Sequence, residues 1–168
     1  LISKKQVKIH LGFSIVFHLI VAIEIVTYAV PIKSDDTWVG WKTLAQETIK
    51  LQEAHPNSFV FSDDNYKTSA VLSFYLDQKI YAQNILYKPA LQFDYLGDNL
   101  TLLAGKDGLF IDSDKRFKNN KKRKNTPKEL ELYFAEVKQL DPIIVKRGQR
   151  EIRKFWVFHC KNYQPKKQ

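Results

Sequence analysis

The chain is 168 residues long with 44% hydrophobic and 13% aromatic residues, enough for one packed domain and too apolar for a disordered chain. Its formal net charge of +9 is concentrated in residues 115–128 (KRFKNNKKRKNTPK), whose eight Lys/Arg and no acids leave only +1 for everything else. A surface basic all over, the mark of a dedicated nucleic-acid binder, is therefore disfavoured, and a lone cysteine (Cys160) with four scattered histidines removes disulfide scaffolds and zinc modules.

No methionine occurs, which predicts a processed chain or a piece of a longer one. Residues 1–10 form a basic flank with Lys4, Lys5 and Lys8 and no acid. Residues 11–32 (LGFSIVFHLIVAIEIVTYAVPI) follow, with thirteen Leu, Ile, Val or Phe among 22 positions, Glu24 the single charge, and Pro31 near the end. As a helix this run reaches about 33 Å, enough for a hydrocarbon core of about 30 Å. Thirteen such residues contribute about −4 to −8 kcal/mol to insertion against about +3 for one central carboxylate, so a transmembrane helix is expected. The same run, ending Thr27-Tyr28-Ala29, also passes as a secretory signal, against which its length and Glu24 weigh; a core helix apolar on every face would need a larger domain around it. Lysines before the helix, and Asp35 and Asp36 after Lys33, orient the N-terminus to the cytoplasm by the positive-inside rule. Residues 33–168 would then lie in the periplasm or outside the cell, with the helix in the inner (cell) membrane. Glu24 is read either as facing other helices of a multi-pass bundle or as a protonated acid tolerated in a very apolar helix.

Beyond the span, Asp35, Asp36 and Thr37 supply cap chemistry for a helix running to about His55, with Trp41, Leu44, Ala45 and Ile49 at helical spacing and Pro56-Asn57 as the stop. Ser58–Phe61 reads as a buried strand and Ser62–Asn65 as a capping loop. A second helix then covers about 66–77, with Ala70, Tyr75 and Leu76 expected in its buried face. Weaker elements are a strand at Lys79–Ala82 and a helical turn at Ala90–Leu96. Gly108–Asp112 is a buried strand, and Glu129–Phe134 a short helix. Two β-rich runs, Ala135–Val145 and Glu151–His159, joined through Gly148, predict a C-terminal β-hairpin. The expected fold class is α/β: one transmembrane helix, then a soluble domain with a mixed sheet, interrupted by the basic insertion 115–128.

Asp63 and Asp64 sit at the carboxyl end of a strand, where α/β proteins often place functional groups; helix capping is the simpler role, and the same holds for Asp112 and Asp114. No dinucleotide fingerprint, phosphate loop or nucleophile elbow is present, so no cofactor and no soluble-enzyme chemistry is indicated. The basic run has one aromatic, Phe117, and lacks stacking platforms for single strands. Beside a membrane, Lys121, Lys122, Arg123 and Lys124 suit anionic head groups or lipid-linked phosphates, each worth about 1 kcal/mol; otherwise the run is a solvated insertion.

Taken in order, Pro31 after the apolar helix, Asp35, Gly40 and Trp41 opening the next helix, then Tyr66, Ser69, Leu72, Phe74 and Tyr75 in YKTSAVLSFYL form a pattern. It continues through Gln92, Phe93 and Asp94 in LQFDY and Gly105, Lys106 and Asp107 before a strand. This pattern resembles the C-terminal end of the bacterial dolichyl-phosphate-mannose protein mannosyltransferase-like family and is similar also to the lipid A aminoarabinose transferases. The basic insertion departs from it. The resemblance implies an integral membrane glycosyltransferase that moves a sugar from a polyprenyl-phosphate donor to a protein or lipid acceptor, partnered by membrane lipid and by the remaining transmembrane helices of the parent protein. The family's catalytic acids lie in a loop that no position here matches, so no catalytic residue transfers. The rival expectation is a stand-alone membrane-anchored or secreted α/β binding module without catalysis.

Overall fold

The computed structural model describes residues 3–29, 39–96, 99–114 and 126–166. They form two units, an N-terminal helix and an α/β domain.

Helix α1 is Lys4–Thr27. Ser3 starts it with a reciprocal capping box: its Oγ accepts from Gln6 N–H, and its own N–H donates to Gln6 Oε1. The helix ends where Tyr28 turns left-handed (φ +49) with its N–H on the Glu24 carbonyl. Against the expected 11–32, the helix starts seven residues earlier and stops at Thr27. Helix-forming lysines and the cap extend it over Lys4, Lys5 and Lys8, and Pro31 lies outside the described residues. Its apolar side chains are exposed on every face, from Val7 to Val26. At 1.5 Å per residue its 24 residues reach about 36 Å, and it is long and apolar enough to cross a membrane.

The domain is built on an open five-stranded mixed sheet ordered β1-β2-β5-β3, with β4 also on β5. Strand β1 (Phe59–Ser62) runs parallel to β2 (Gly108–Ser113), in register Phe59↔Gly108 to Ser62↔Ile111. Long β5 (Arg150–Tyr163) runs antiparallel to β2. The run expected as one strand at Ala135–Val145 divides into β3 (Phe134–Gln139) and β4 (Ile143–Arg147). Both lie antiparallel to β5, on residues 158–163 and 150–155 respectively. Pro142 between them has no N–H for the ladder, while Leu140 N–H still reaches the Val157 carbonyl. The hairpin is thus present with a break in one arm, and Gly148 at φ +58 makes its tight turn.

Side chains alternate across this sheet and both faces are apolar. One face carries Val60, Leu109, Ile111, Phe155 and Val157. Helices α2 (Trp41–Ala54) and α3 (Lys67–Leu76) face it with Leu44, Ala45 and Leu72. The opposite face carries Phe59, Phe61, Phe110, Trp156, Phe158 and Cys160. It is closed by irregular chain, chiefly the 3₁₀ turns Gln83–Leu86, Leu100–Leu103 and Leu130–Leu132, through Ile85, Leu86, Leu103 and Leu130.

Helix α2 opens at Trp41 behind Gly40; the caps expected at Asp35, Asp36 and Thr37 lie outside the described residues. Gly40 has φ +91, and a Cβ there would stand 2.9 Å from both γ-carbons of Val145, so the backbone makes the entry that a side chain would block. Ile49, placed by its spacing in the buried face, is 46% exposed. Helix α3 also turns differently from expectation: Thr68, Ser69 and Leu72 are buried, Ala70 and Leu76 are half-buried, and Tyr75 is exposed. Small hydroxyl side chains let the helix sit close, and Ser69 Oγ bonds the Tyr81 carbonyl (2.7 Å) and Ser62 Oγ (2.6 Å). The expected strand at 79–82 is a single parallel bridge, Phe61↔Tyr81. The expected turn at 90–96 is the short helix α4 (Gln92–Tyr95), and the one at 129–134 is the 3₁₀ turn Leu130–Leu132.

Candidate functional site

Beyond the carboxyl end of β1 the chain divides the work of its two acids. Asp64 accepts from Thr68 N–H and Oγ1 and from Ser62 Oγ, so it anchors the start of α3 as a capping residue does. Asp63 instead meets Lys88 at 2.8 Å, and the same ammonium meets Glu129 at 2.5 Å. Three segments far apart in sequence thus converge in a carboxylate–ammonium–carboxylate row.

The loop carrying Lys88 is held by buried Gln83, whose Oε1 accepts from Asn65 N–H and whose Nε2 donates to Asn65 Oδ1 and to the Pro89 carbonyl. Tyr87 (φ +55) and Leu91 (φ +54) adopt left-handed backbone, a strain of order 1–3 kcal/mol that surrounding contacts must hold. Tyr87 is held by its ring, which stacks on Tyr133 at 5.6 Å with the Lys166 ammonium over both rings, and by its hydroxyl, which donates to the Lys166 carbonyl. Asp94 on α4 accepts from Ala90 N–H at 2.7 Å. Between these groups opens a cleft of about 390 Å³ lined by Asn84, Tyr87, Lys88, Phe93, Asp94 and Leu100.

Burial raises the Asp63 carboxyl above its ordinary value of 3.8, overcoming the attraction of Lys88, with Glu129 and Asp64 adding repulsion. Lys88 is shifted upward because its two carboxylate partners outweigh its own desolvation. A protonated lysine shared by two acids is neither nucleophile nor base. Of the row only Lys88 lines the cleft, a donor held by its two carboxylates beside Asn84, Asp94 and the Tyr87 and Phe93 rings, a set that suits hydroxyl groups of a neutral polar ligand. The row's two carboxylates oppose a phosphate.

A second polar cluster lies at the other end of β2. His159 Nε2 is 3.1 Å from Asp107 Oδ2, the His55 ring packs tilted against His159 with centroids 4.2 Å apart, and Asp107 Oδ1 accepts from Asn162 N–H. Burial first, then the neighbouring His159, lowers the His55 pKa. Among the described residues no group of three His, Cys, Asp or Glu is arranged to hold a metal ion.

The positions singled out from sequence are dispersed. Asp94 lines the cleft, and Gln92 lies exposed beside it on α4. Tyr66, Phe74 and Tyr75 are exposed at or on α3. Trp41 lies elsewhere, under the Arg153 guanidinium at 3.7 Å. Lys106 contributes backbone, its carbonyl accepting from Tyr163 N–H. Asp112 pairs in register with Trp156 in the sheet, and Asp114 N–H bonds the Lys154 carbonyl. Lys121, Lys122, Arg123 and Lys124 lie outside the described residues. Sequence reasoning missed Lys88, Glu129, Tyr87 and Asn84, which share no motif or spacing.

No protein family, curated protein or solved structure matches this chain.

Proposed function

We propose that the chain is the last membrane helix and the extracytoplasmic domain of an integral membrane glycosyltransferase that uses a polyprenyl-phosphate-linked sugar, with the bond-breaking acids outside these residues. The observation that carries this reading is the order of parts: a membrane-length helix, apolar on every face, leads into an α/β domain whose acids at the end of β1 are engaged in capping and ion pairing. That is the order the family resemblance implies. The helix sits in the inner membrane with Lys4, Lys5 and Lys8 on the cytoplasmic side and the domain in the periplasm or outside the cell. Lys121, Lys122, Arg123 and Lys124 attract the donor phosphate, an effect reaching about one Debye length, roughly 8 Å at physiological salt. Replacing all four with Gln in the full-length transferase should raise the KM for donor lipid, most strongly at low salt, with the fold intact. An unchanged KM at low ionic strength would reduce the run to a solvated insertion.

A second reading, a stand-alone binding module, draws on the cleft at Lys88, whose described lining lies within the domain. Sugar transfer from polyprenyl-phosphate donor in membranes containing the protein, abolished by deleting residues 39–168, favours the first reading; transfer indifferent to the deletion favours the second.

A further inference from the structure

The domain leaves large apolar side chains in water where α3 and α4 meet. Phe74 is 82% exposed, Tyr95 90%, Leu96 62% and Leu91 54%. They flank one contact between the two helices. Ala70 of α3 packs on the Ala82, Ala90 and Phe93 cluster that seats α4, and Phe74 stands one helical turn beyond Ala70. Phe74 and Tyr75 meet edge to face at 5.3 Å. Leu91 keeps its strained backbone (φ +54) while its side chain points to solvent. The sheet and its covering layers account for none of these side chains, and a cluster of this kind marks a surface with a partner.

We infer that the face formed by α3 and α4 seats in the headgroup layer of a lipid bilayer. The inference rests on the reading of α1 as a membrane span. Thirteen residues, 28–40, join α1 to the domain; fully extended they span at most about 45 Å, so a helix in a bilayer keeps the domain within that reach of it and raises its encounter rate with the lipid surface. The side chains fit the setting: the amphipathic Tyr ring settles at headgroup level, and Phe and Leu form the apolar face of helices that lie in the interface. The cleft at Lys88 shares α4 through Phe93 and Asp94, so docking brings its polar floor close to the lipid surface.

The test uses the full chain reconstituted in phosphatidylcholine/phosphatidylglycerol vesicles. An environment-sensitive fluorophore is placed through Phe74→Cys, Tyr95→Cys, Ala135→Cys on exposed β3 as a control, and Phe13→Cys in α1; Cys160 is buried and stays unlabelled. We expect blue-shifted emission at 74 and 95, lost when the vesicles carry a lipid with a nitroxide just below its headgroup, and water-like, unquenched emission at 135. A label at 13 quenched by mid-bilayer nitroxide, with water-like emission at 74 and 95, overturns the docking surface and leaves the membrane span standing. Blue-shifted emission at 74 and 95 that no lipid nitroxide quenches assigns the face to a second copy and also overturns it. Water-like emission at 13 overturns the span and the docking together.

Discussion

Tyr163 shows how one side chain ties layers together. It is fully buried, its hydroxyl donates to the Ile85 carbonyl at 2.7 Å, and its ring packs on Phe59 and Phe134. Tyr163→Phe keeps the ring and strands that carbonyl, so a loss of about 1–1.5 kcal/mol is expected in denaturant unfolding. Lys88→Met has a different signature. It leaves the Asp63 carboxyl buried without its cation, raising that group further above 3.8. An acid whose folded pKa is raised contributes least once pH exceeds both values, because the unfolded chain ionises more easily. The deficit of the variant relative to wild type should therefore be about 1–2 kcal/mol at pH 7 and shrink as pH falls towards 4. His55 gives the opposite slope. Its folded pKa lies below the ordinary 6.5 because burial and His159 oppose its charge, Lys138 adding repulsion and Asp107 a partial offset. The unfolded chain then binds the proton first, and stability falls as pH drops below about 6.5. His55→Phe, which preserves the ring contact with His159, should flatten that part of the unfolding profile.

At the scale of elements, spacing made β1, β2 and the hairpin legible, because buried strands of alternating or continuous apolar residues bounded by turn residues leave few alternatives. It misjudged helix faces. Helix α3 buries Thr68 and Ser69, so the hydrophobic rule pointed to Tyr75, whereas close approach and the Ser69 hydrogen bonds decide the orientation. Helix α2 enters at Trp41 behind Gly40, and the cap sequence Asp35-Asp36-Thr37 lies outside the described residues. Gly40→Ala should cost about 1–3 kcal/mol, measured as a lower midpoint of unfolding, since it combines φ +91 with contact on Val145. The layer between residues 80 and 104 was barely readable. Its apolar residues follow neither helical nor strand period, because 3₁₀ turns and single bridges use them one at a time.

For the whole molecule, both sheet faces are covered, and stability should concentrate there and not on the α3–α4 surface. Leu72→Ala, fully buried, is expected to lose about 2–5 kcal/mol. Phe74→Ser with Tyr95→Ser, both highly exposed, should stay within about 0.5 kcal/mol of wild type per substitution in the same melt. The candidate site was invisible from sequence for a topological reason: Asp63, Lys88 and Glu129 stand 25 and 41 residues apart along the chain from the central lysine, and only the return of both loops to the end of β1 joins them. A reporter fused after Gln168 should be active outside the cytoplasm; activity confined to the cytoplasm would reverse the orientation.

The proposed use of a lipid-linked phosphate donor is open to direct test. Its most direct measurement is the binding of a polyprenyl-phosphate hexose to the full chain in lipid nanodiscs, beside the matching uncharged polyprenol. The account predicts saturable binding of the phosphate lipid that weakens as salt rises and falls when Lys121, Lys122, Arg123 and Lys124 are replaced with Gln. Equal binding of both lipids at low salt, unchanged by the four substitutions, would contradict it.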